Sequence, residues 1–299
     1  MNNIKKVFSI RDLENLSGIK AHTIRIWEKR YNLLSPERTN TNIRTYSLGS
    51  LQKLLNITLL NKNGYKISKI AKIPEEDIPL KVREIVANKS MKNHILNAFK
   101  LSMLNFDQTL FSNTYHGLLA DNSFREIFNE YFIPLLHELG LLWQTDTISP
   151  AHEHFITALI KQKILVNNEK LQTTEPTKKD KTFVLFLPEG EIHDIGLLYV
   201  NYEITLRGYK SVYLGQSIPQ DNLSELLRYD DNICFLSYFT VAPTQEKVKK
   251  YLNAFNELIK GYKNPCLWIM GRQTMHVERA DLPKNIRKFT SIEELTKAL

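Results

Sequence analysis

The spacing of apolar residues changes period along the chain, and each change marks a candidate domain. Over residues 8 to about 72 the apolar positions come in short helical groups. "SIRDLENLSG" puts Ser9 where an N-cap belongs and Gly18 where a helix should stop, and "KAHTIRIWEKRY" follows after one tight turn, which predicts a helix-turn-helix. The polar "TNTNIRTYS" alternates as a small β-hairpin wing would, and "LGSLQKLLNITLLNKNGY" returns to helical spacing as far as Gly64. From about 79 to 170 the period is 3.6 throughout: Phe124, Ile127, Phe128 and Leu135 share one stripe, Ile156, Leu159, Ile160 and Ile164 another. Four such segments joined by short loops predict a four-helix bundle. Residues 171–181 are polar with one proline and read as a linker. Beyond it "TFVLFLP", "SVYLG", "ICFLSYF" and "CLWIMG" are apolar runs followed by helical stretches, the signature of a doubly wound, flavodoxin-like (Rossmann-like) parallel sheet. The expected class is therefore α plus α/β, with domains at 1–78, 79–170 and 182–299.

Charge adds an asymmetry that the period does not show. The 299 residues carry a net +8, yet residues 1–74 hold 14 Lys and Arg against 4 Asp and Glu, while the rest of the chain holds 26 against 28. A basic excess confined to the helix-turn-helix region suits a polyanion, because neutralised phosphates release counterions. No apolar run approaches the roughly 18 residues that a membrane helix needs, and "MNNIKKVFSIR" has no apolar signal region, so a cytoplasmic protein is expected. The two cysteines, Cys234 and Cys266, sit inside apolar strand-like runs, as buried thiols in a reducing compartment would.

The segment "FSIRDLENLSGIKAHTIRIWEKRYNLLSPERTNTNIRTYS" with "NGYKISKI" resembles the MerR family of transcriptional regulators over roughly residues 7–75. The resemblance implies that the second helix enters the major groove of double-stranded DNA, with His22, Thr23 and Arg25 along the groove face, and that Arg44 and Tyr46 of the wing contact phosphate. The residues agree on their own terms. Lys20, His22, Thr23, Arg25, Lys29 and Arg30 offer donors on the outer faces of the helix, while Ile24, Trp27 and Tyr31 share the inward stripe. Any one of these charges alone reads equally well as surface solubility.

The stretch "EIHDIG" follows the first strand of the sheet, at the carboxyl edge where ligands bind in such folds. A loop histidine by itself is more often structural than a ligand. Glu191, His193, Asp194 and Gly196 at this spacing, however, resemble the cobalamin-binding signature in which the histidine is the lower axial ligand of cobalt. That chemistry needs a neutral imidazole held by an acceptor, which Glu191 or Asp194 could supply. The resemblance further implies ligand contacts at Ser237, Phe239 and Gly271, with Met270 standing where the family has a second glycine. In the bundle, Trp143 followed after nine residues by Glu153 and His154 resembles the motif that caps the upper face of cobalamin in light-responsive MerR regulators, where the Glu bonds the adenosyl ribose. Gln144 stands where the photoreceptor members have a cobalt-capping histidine.

Taken together these features imply a DNA-binding regulator, most simply a repressor and not an enzyme, whose homo-oligomerisation to a dimer or tetramer and operator binding are controlled by cobalamin, with adenosylcobalamin as a light sensor. Two alternatives stay open: a regulator that keeps the fold but switches without cofactor or through a partner, and a corrinoid-dependent methyl-transfer protein, whose modules share the bundle and the histidine loop. Thiolate metal sensing, a P-loop and a Ser/His/Asp set have no counterpart in the sequence.

Overall fold

Ser9 accepts the backbone N–H of Asp12, whose carboxylate in turn accepts the N–H of Ser9 at 2.8 Å, and this reciprocal cap starts helix α1 (Ile10–Ser17). Gly18, at φ 72°, ends it in the left-handed conformation that glycine adopts without strain. In the computed structural model residues 7–86, 91–144 and 147–299 are described, except for the side chains at 83–86, 91, 141, 143 and 144. The chain divides into two units, Met1–Ile160 and Lys161–Leu299.

In the first unit, strand β1 (Val7–Phe8) precedes α1, and α2 (Ala21–Tyr31) follows the turn, its first free N–H, from Ala21, taken by Glu14. The wing is β2 (Glu37–Arg38) and β3 (Arg44–Ser47), antiparallel, with β1 added on the other side of β3 in the order β1-β3-β2. Helices α3 (Leu48–Lys62), α4 (Ile67–Ile70) and α5 (Ile78–Val86) complete this head, and Phe8, Leu13, Ile24 and Leu51 are closed from solvent in its core. The bundle comprises α6 (Met91–Asn105), α7 (Gln108–Leu119), α8 (Phe124–Ile127) running through a π turn at Phe128–Phe132 into α9 (Ile133–Gln144), and α10 (Pro150–Gln172). Its centre is aromatic. Phe132 lies 6.1 Å from Phe111 and 6.0 Å from Tyr115 in stacked geometry and meets Phe99 edge-on at 5.5 Å. Asn15 of α1 donates to the hydroxyl of Thr147 at 2.9 Å, tying the head to the loop before α10.

The second unit is the sheet. Strands β4 (Lys178–Pro188), β5 (Tyr209–Ile218), β6 (Ile233–Tyr238), β7 (Cys266–Met270) and β8 (Ile286–Lys288) are all parallel, in the order β5-β4-β6-β7-β8. That is the 2-1-3-4-5 winding of flavodoxin-like folds. Helices α11 (Ile195–Leu206) and α13 (Ile292–Thr296) contribute Leu197 and Leu295 to the core on one face, and α12 (Gln245–Ile259) packs Leu252 and Phe255 on the other. Three details depart from the sequence reading. The polar linker is shorter than 171–181, because α10 reaches Gln172 and β4 begins at Lys178. The crossover from β5 to β6 is a 3-10 helix, Gln220–Arg228. The fifth strand, β8, is too short at three residues for a period to show.

The second half of α10 belongs to this unit and is fastened to it by polar groups. The amide of Asn168, buried, donates to the carbonyls of Ile164 and Leu198; Asn201 of α11 donates to Asn168 at 2.7 Å, and Ser211 of β5 donates to Asn201. Lys161 meets Asp194 at 2.5 Å.

Candidate functional site

The loop between β4 and α11 turns at Gly190 (φ 80°), where the N–H of Glu191 donates to the carbonyl of Pro188. This turn carries Glu191 inward and His193 outward. Glu191 is closed from solvent, and its carboxylate accepts six hydrogen bonds. Oε1 takes the N–H of Ile192 (2.9 Å), the N–H of His193 (3.0 Å) and the Nδ1–H of His193 (2.6 Å). Oε2 takes three successive N–H groups of the loop after β6, from Thr240 (3.0 Å), Val241 (2.5 Å) and Ala242 (2.8 Å). Burial alone would raise the carboxyl's pKa, but the N–H groups of Val241, Ala242 and His193 and the imidazole outweigh it, and the group is held below its ordinary value.

An ionised carboxylate can only accept, so this contact puts a proton on Nδ1, which in the neutral tautomer leaves the lone pair on Nε2. The His193 side chain is 52% exposed, and no hydrogen bond to Nε2 occurs among the described residues. Exposed apolar side chains stand beside it in both loops, Ile192 at 61% and Val241 at 52%. The β5 loop is knitted to the same place: Gln216 donates to the carbonyl of Ile192 at 2.8 Å, Ser217 N–H to the carbonyl of Glu191, and Gly190 N–H to the hydroxyl of Ser217. Three loops thus hold one imidazole with an outward lone pair next to apolar surface. In its neutral form the ring could offer Nε2 to a metal ion.

Of the two acids flanking His193, only Glu191 reaches it. Asp194 turns to Lys161, a partner 33 residues upstream that no motif marks. Gly196 is needed for packing, since a Cβ there would lie 2.8 Å from the ring of Tyr238. Of the other residues assigned to the ligand in this unit, Ser237 and Phe239 are fully buried and Gly271 is half-buried. Ser237, fully buried, donates to the carbonyl of Phe186 at 2.8 Å; Phe239 packs edge-on to Tyr251 at 5.4 Å; and Gly271, at φ 107°, abuts the backbone of Phe239, its Cβ position 2.5 Å from that carbonyl oxygen. Met270 turns its side chain into the core beside Leu236 and Trp268.

In the bundle, Glu153 and His154 occupy the first turn of α10. Glu153 is about one-third exposed and His154 is exposed, with Nδ1 3.4 Å from the Glu153 carboxylate. The side chains of Trp143 and Gln144 lie outside the described residues. Ser149 accepts the first backbone bonds of α10 through its carbonyl, while its hydroxyl meets Nδ1 of His152 at 2.8 Å. His152 is fully buried and stacks on Phe106 at 4.8 Å, so it shapes the start of the helix that carries Glu153.

In the head, His22, Arg25 and Arg30 are exposed on α2 and Thr23 is half-buried, while Ile24 and Trp27 are buried on the opposite side, as the stripe predicts. The wing residues differ from the expectation. Tyr46, read as a phosphate contact, is 1% exposed and its hydroxyl donates to Glu28, while Arg44 pairs with the same carboxylate at 3.2 Å. Burial, and then the Glu28 bond, push the phenol of Tyr46 up, so it stays a donor. Glu28 therefore locks the wing to α2, and only Arg44 of the pair keeps an exposed flank.

Comparison with known proteins matches residues 8–76 to the MerR HTH family regulatory protein model and residues 95–166 to a B12 binding domain model. The chain is similar to the HTH-type transcriptional repressor CarH of Myxococcus xanthus, at 27% identity over 73% of this chain and 74% of that one. It is also similar to the repressor CarA of the same organism, at 24% over 70% and 68%. Among solved structures it is similar to a monomethylamine corrinoid protein of Methanosarcina barkeri, with a TM-score of 0.58 at 15% identity over 69% of this chain and 97% of that one, a likeness of fold.

Proposed function

We propose that this chain, which joins a MerR-type helix-turn-helix head to a B12-binding module and is homologous to the repressors CarH and CarA, is a cobalamin-controlled transcriptional repressor. The observation that carries the reading is the buried Glu191 carboxylate accepting from Nδ1 of His193 and leaving the ring's Nε2 outward. His193 would be the lower axial ligand of cobalt. Bound there, the cofactor supplies a cobalt–carbon bond that light can break. Glu191 fixes the tautomer and orientation of the ligating ring, Ile192 and Val241 supply apolar surface beside it, and Asp194 with Lys161 anchors the start of α11. Trp143, Glu153 and His154 would serve the upper face and make adenosylcobalamin the preferred form. His22, Thr23, Arg25 and Arg30 would meet an operator in duplex DNA, with Arg44 at phosphate. The protein acts as a cytoplasmic homo-oligomer, dimer or tetramer, whose assembly and DNA affinity respond together to the ligand, because a ligand that favours one assembly favours the array of heads it presents. A helix-turn-helix head favours regulation over methyl-transfer catalysis.

A second reading rests on a specific observation. Ser237 and Phe239 are enclosed, Gly271 abuts the Phe239 backbone and Met270 fills the core, as in a regulator that has kept the fold and switches without cofactor or through a partner.

The test is an absorption spectrum of the protein mixed in the dark with adenosylcobalamin and gel-filtered, repeated after illumination and with His193→Ala. Retained corrinoid that is lost or weakened in the variant, with an elution volume that shifts with light, supports the first reading. Protein eluting free of corrinoid favours the second.

A further inference from the structure

At the amino ends of the strands, opposite the carboxyl ends where the His193 loop lies, β6 and β7 pair in parallel with Cys234 directly across from Cys266. Neighbouring strands lie about 4.8 Å apart, inside the roughly 4.4–6.8 Å between Cα atoms that a disulfide spans. Both side chains belong to the core face packed around Phe183 and Trp268. The Cys234 thiol donates to the carbonyl of Phe235 at 3.8 Å, with Cys266 as its cross-strand neighbour. The loops leading into the strands are clipped together by Asn264, whose amide donates to Asn232 at 3.1 Å. The pair is asymmetric: Cys234 is fully buried, whereas Cys266, the first residue of β7, is partly exposed. The neighbouring Cys234 thiol lowers the Cys266 thiol's pKa against the opposing effect of burial, and the Lys181 ammonium, above the Trp268 ring at 5.5 Å, adds to the lowering; burial pushes Cys234 up.

We propose that Cys234 and Cys266 form an oxidisable dithiol that closes reversibly to an intrachain disulfide when the protein meets a peroxide. Cys266 is the reacting thiolate and Cys234 the resolving thiol. The Cys266 sulfur attacks one peroxide oxygen, the O–O bond breaks, and hydroxide leaves and is protonated to water, giving a sulfenic acid. Cys234 then gives up its proton and attacks the Cys266 sulfur, the S–S bond forms, and the sulfenic hydroxyl leaves as a second water. The two thiols lose two electrons and two protons, and the peroxide is reduced to water. This site is separate from the His193 loop and does not depend on cobalamin binding.

The experiment treats the native full-length protein with hydrogen peroxide, alkylates remaining thiols, and maps the digest by mass. The expected result is a fall from two alkylatable thiols per chain to none, with the Cys234 and Cys266 peptides joined, the chain still running as a monomer on a non-reducing denaturing gel, and both thiols recovered with dithiothreitol. In Cys234→Ser, Cys266 stops at the sulfenic acid and is trapped by dimedone. Two thiols that survive peroxide, sulfinic acid at Cys266 beside an intact Cys234, or disulfides only between chains would each overturn the proposal. The wild-type map stands by itself if the serine variant fails to fold.

Discussion

Glu191 gathers six donors from two loops that lie about fifty residues apart in sequence, so one carboxylate closes the β6 loop and aims the imidazole at the same time. Glu191→Gln keeps the shape but loses the charge and replaces one acceptor with a donor. Cobalamin affinity, read by absorbance titration, should fall about 10- to 100-fold, the usual cost of removing the group that orients a metal-bound histidine. The same residue sets a pH dependence. Its folded pKa lies below the ordinary 4.5, so its contribution to stability is complete above that value and is lost as the pH falls through the folded one. Urea unfolding at pH 7 and at successive steps below 4.5 should show wild type losing stability with acid more steeply than Glu191→Gln. The motif spacing was enough to single out Glu191 and His193, but not to choose between Glu191 and Asp194 as the orienting acid. The choice is made by three backbone amides at 240–242 and by Lys161, and backbone amides leave no mark on residue type.

Helix α2 divides its work by face, with Ile24 and Trp27 inward and His22, Arg25 and Arg30 outward. Arg25→Ala should weaken operator binding and, if its contact is a phosphate, reduce the slope of log affinity against log salt by about 1, measured by fluorescence anisotropy over a salt series. Tyr46→Phe removes a buried bond to Glu28 and should destabilise the head by about 1–3 kcal/mol, read from urea unfolding. On α10, Asn168→Ala strands the amide of buried Asn201, at a cost of about 2 kcal/mol by the same measure. Elements with caps and several turns were legible in advance, as Ser9, Gly18 and the bundle stripes show. What period could not reveal was β8, three residues long, and the meeting of Cys234 with Cys266, which is set by the register of two strands and not by either run alone.

For the whole molecule, the basic excess of residues 1–74 falls on the head, so association with duplex DNA should be strongly salt-dependent even where sequence is not read. Among the described residues no helix is long and apolar enough to cross a membrane. Helix α10 begins in one unit at Pro150 and ends in the other at Gln172, with the division at Ile160 falling in the middle of its turns. The usual dissection of a regulator into separately expressed parts has no clean cut here. A fragment starting at the unit boundary opens inside a helix with unpaired amides, and one starting at Lys178 discards the Lys161 and Asn168 anchors of the histidine loop and of α11. Residues 173–177 lie outside helix and strand between α10 and β4, where a protease should nick the folded chain, yet the carboxyl-terminal product of that cut would leave its own supporting helix behind.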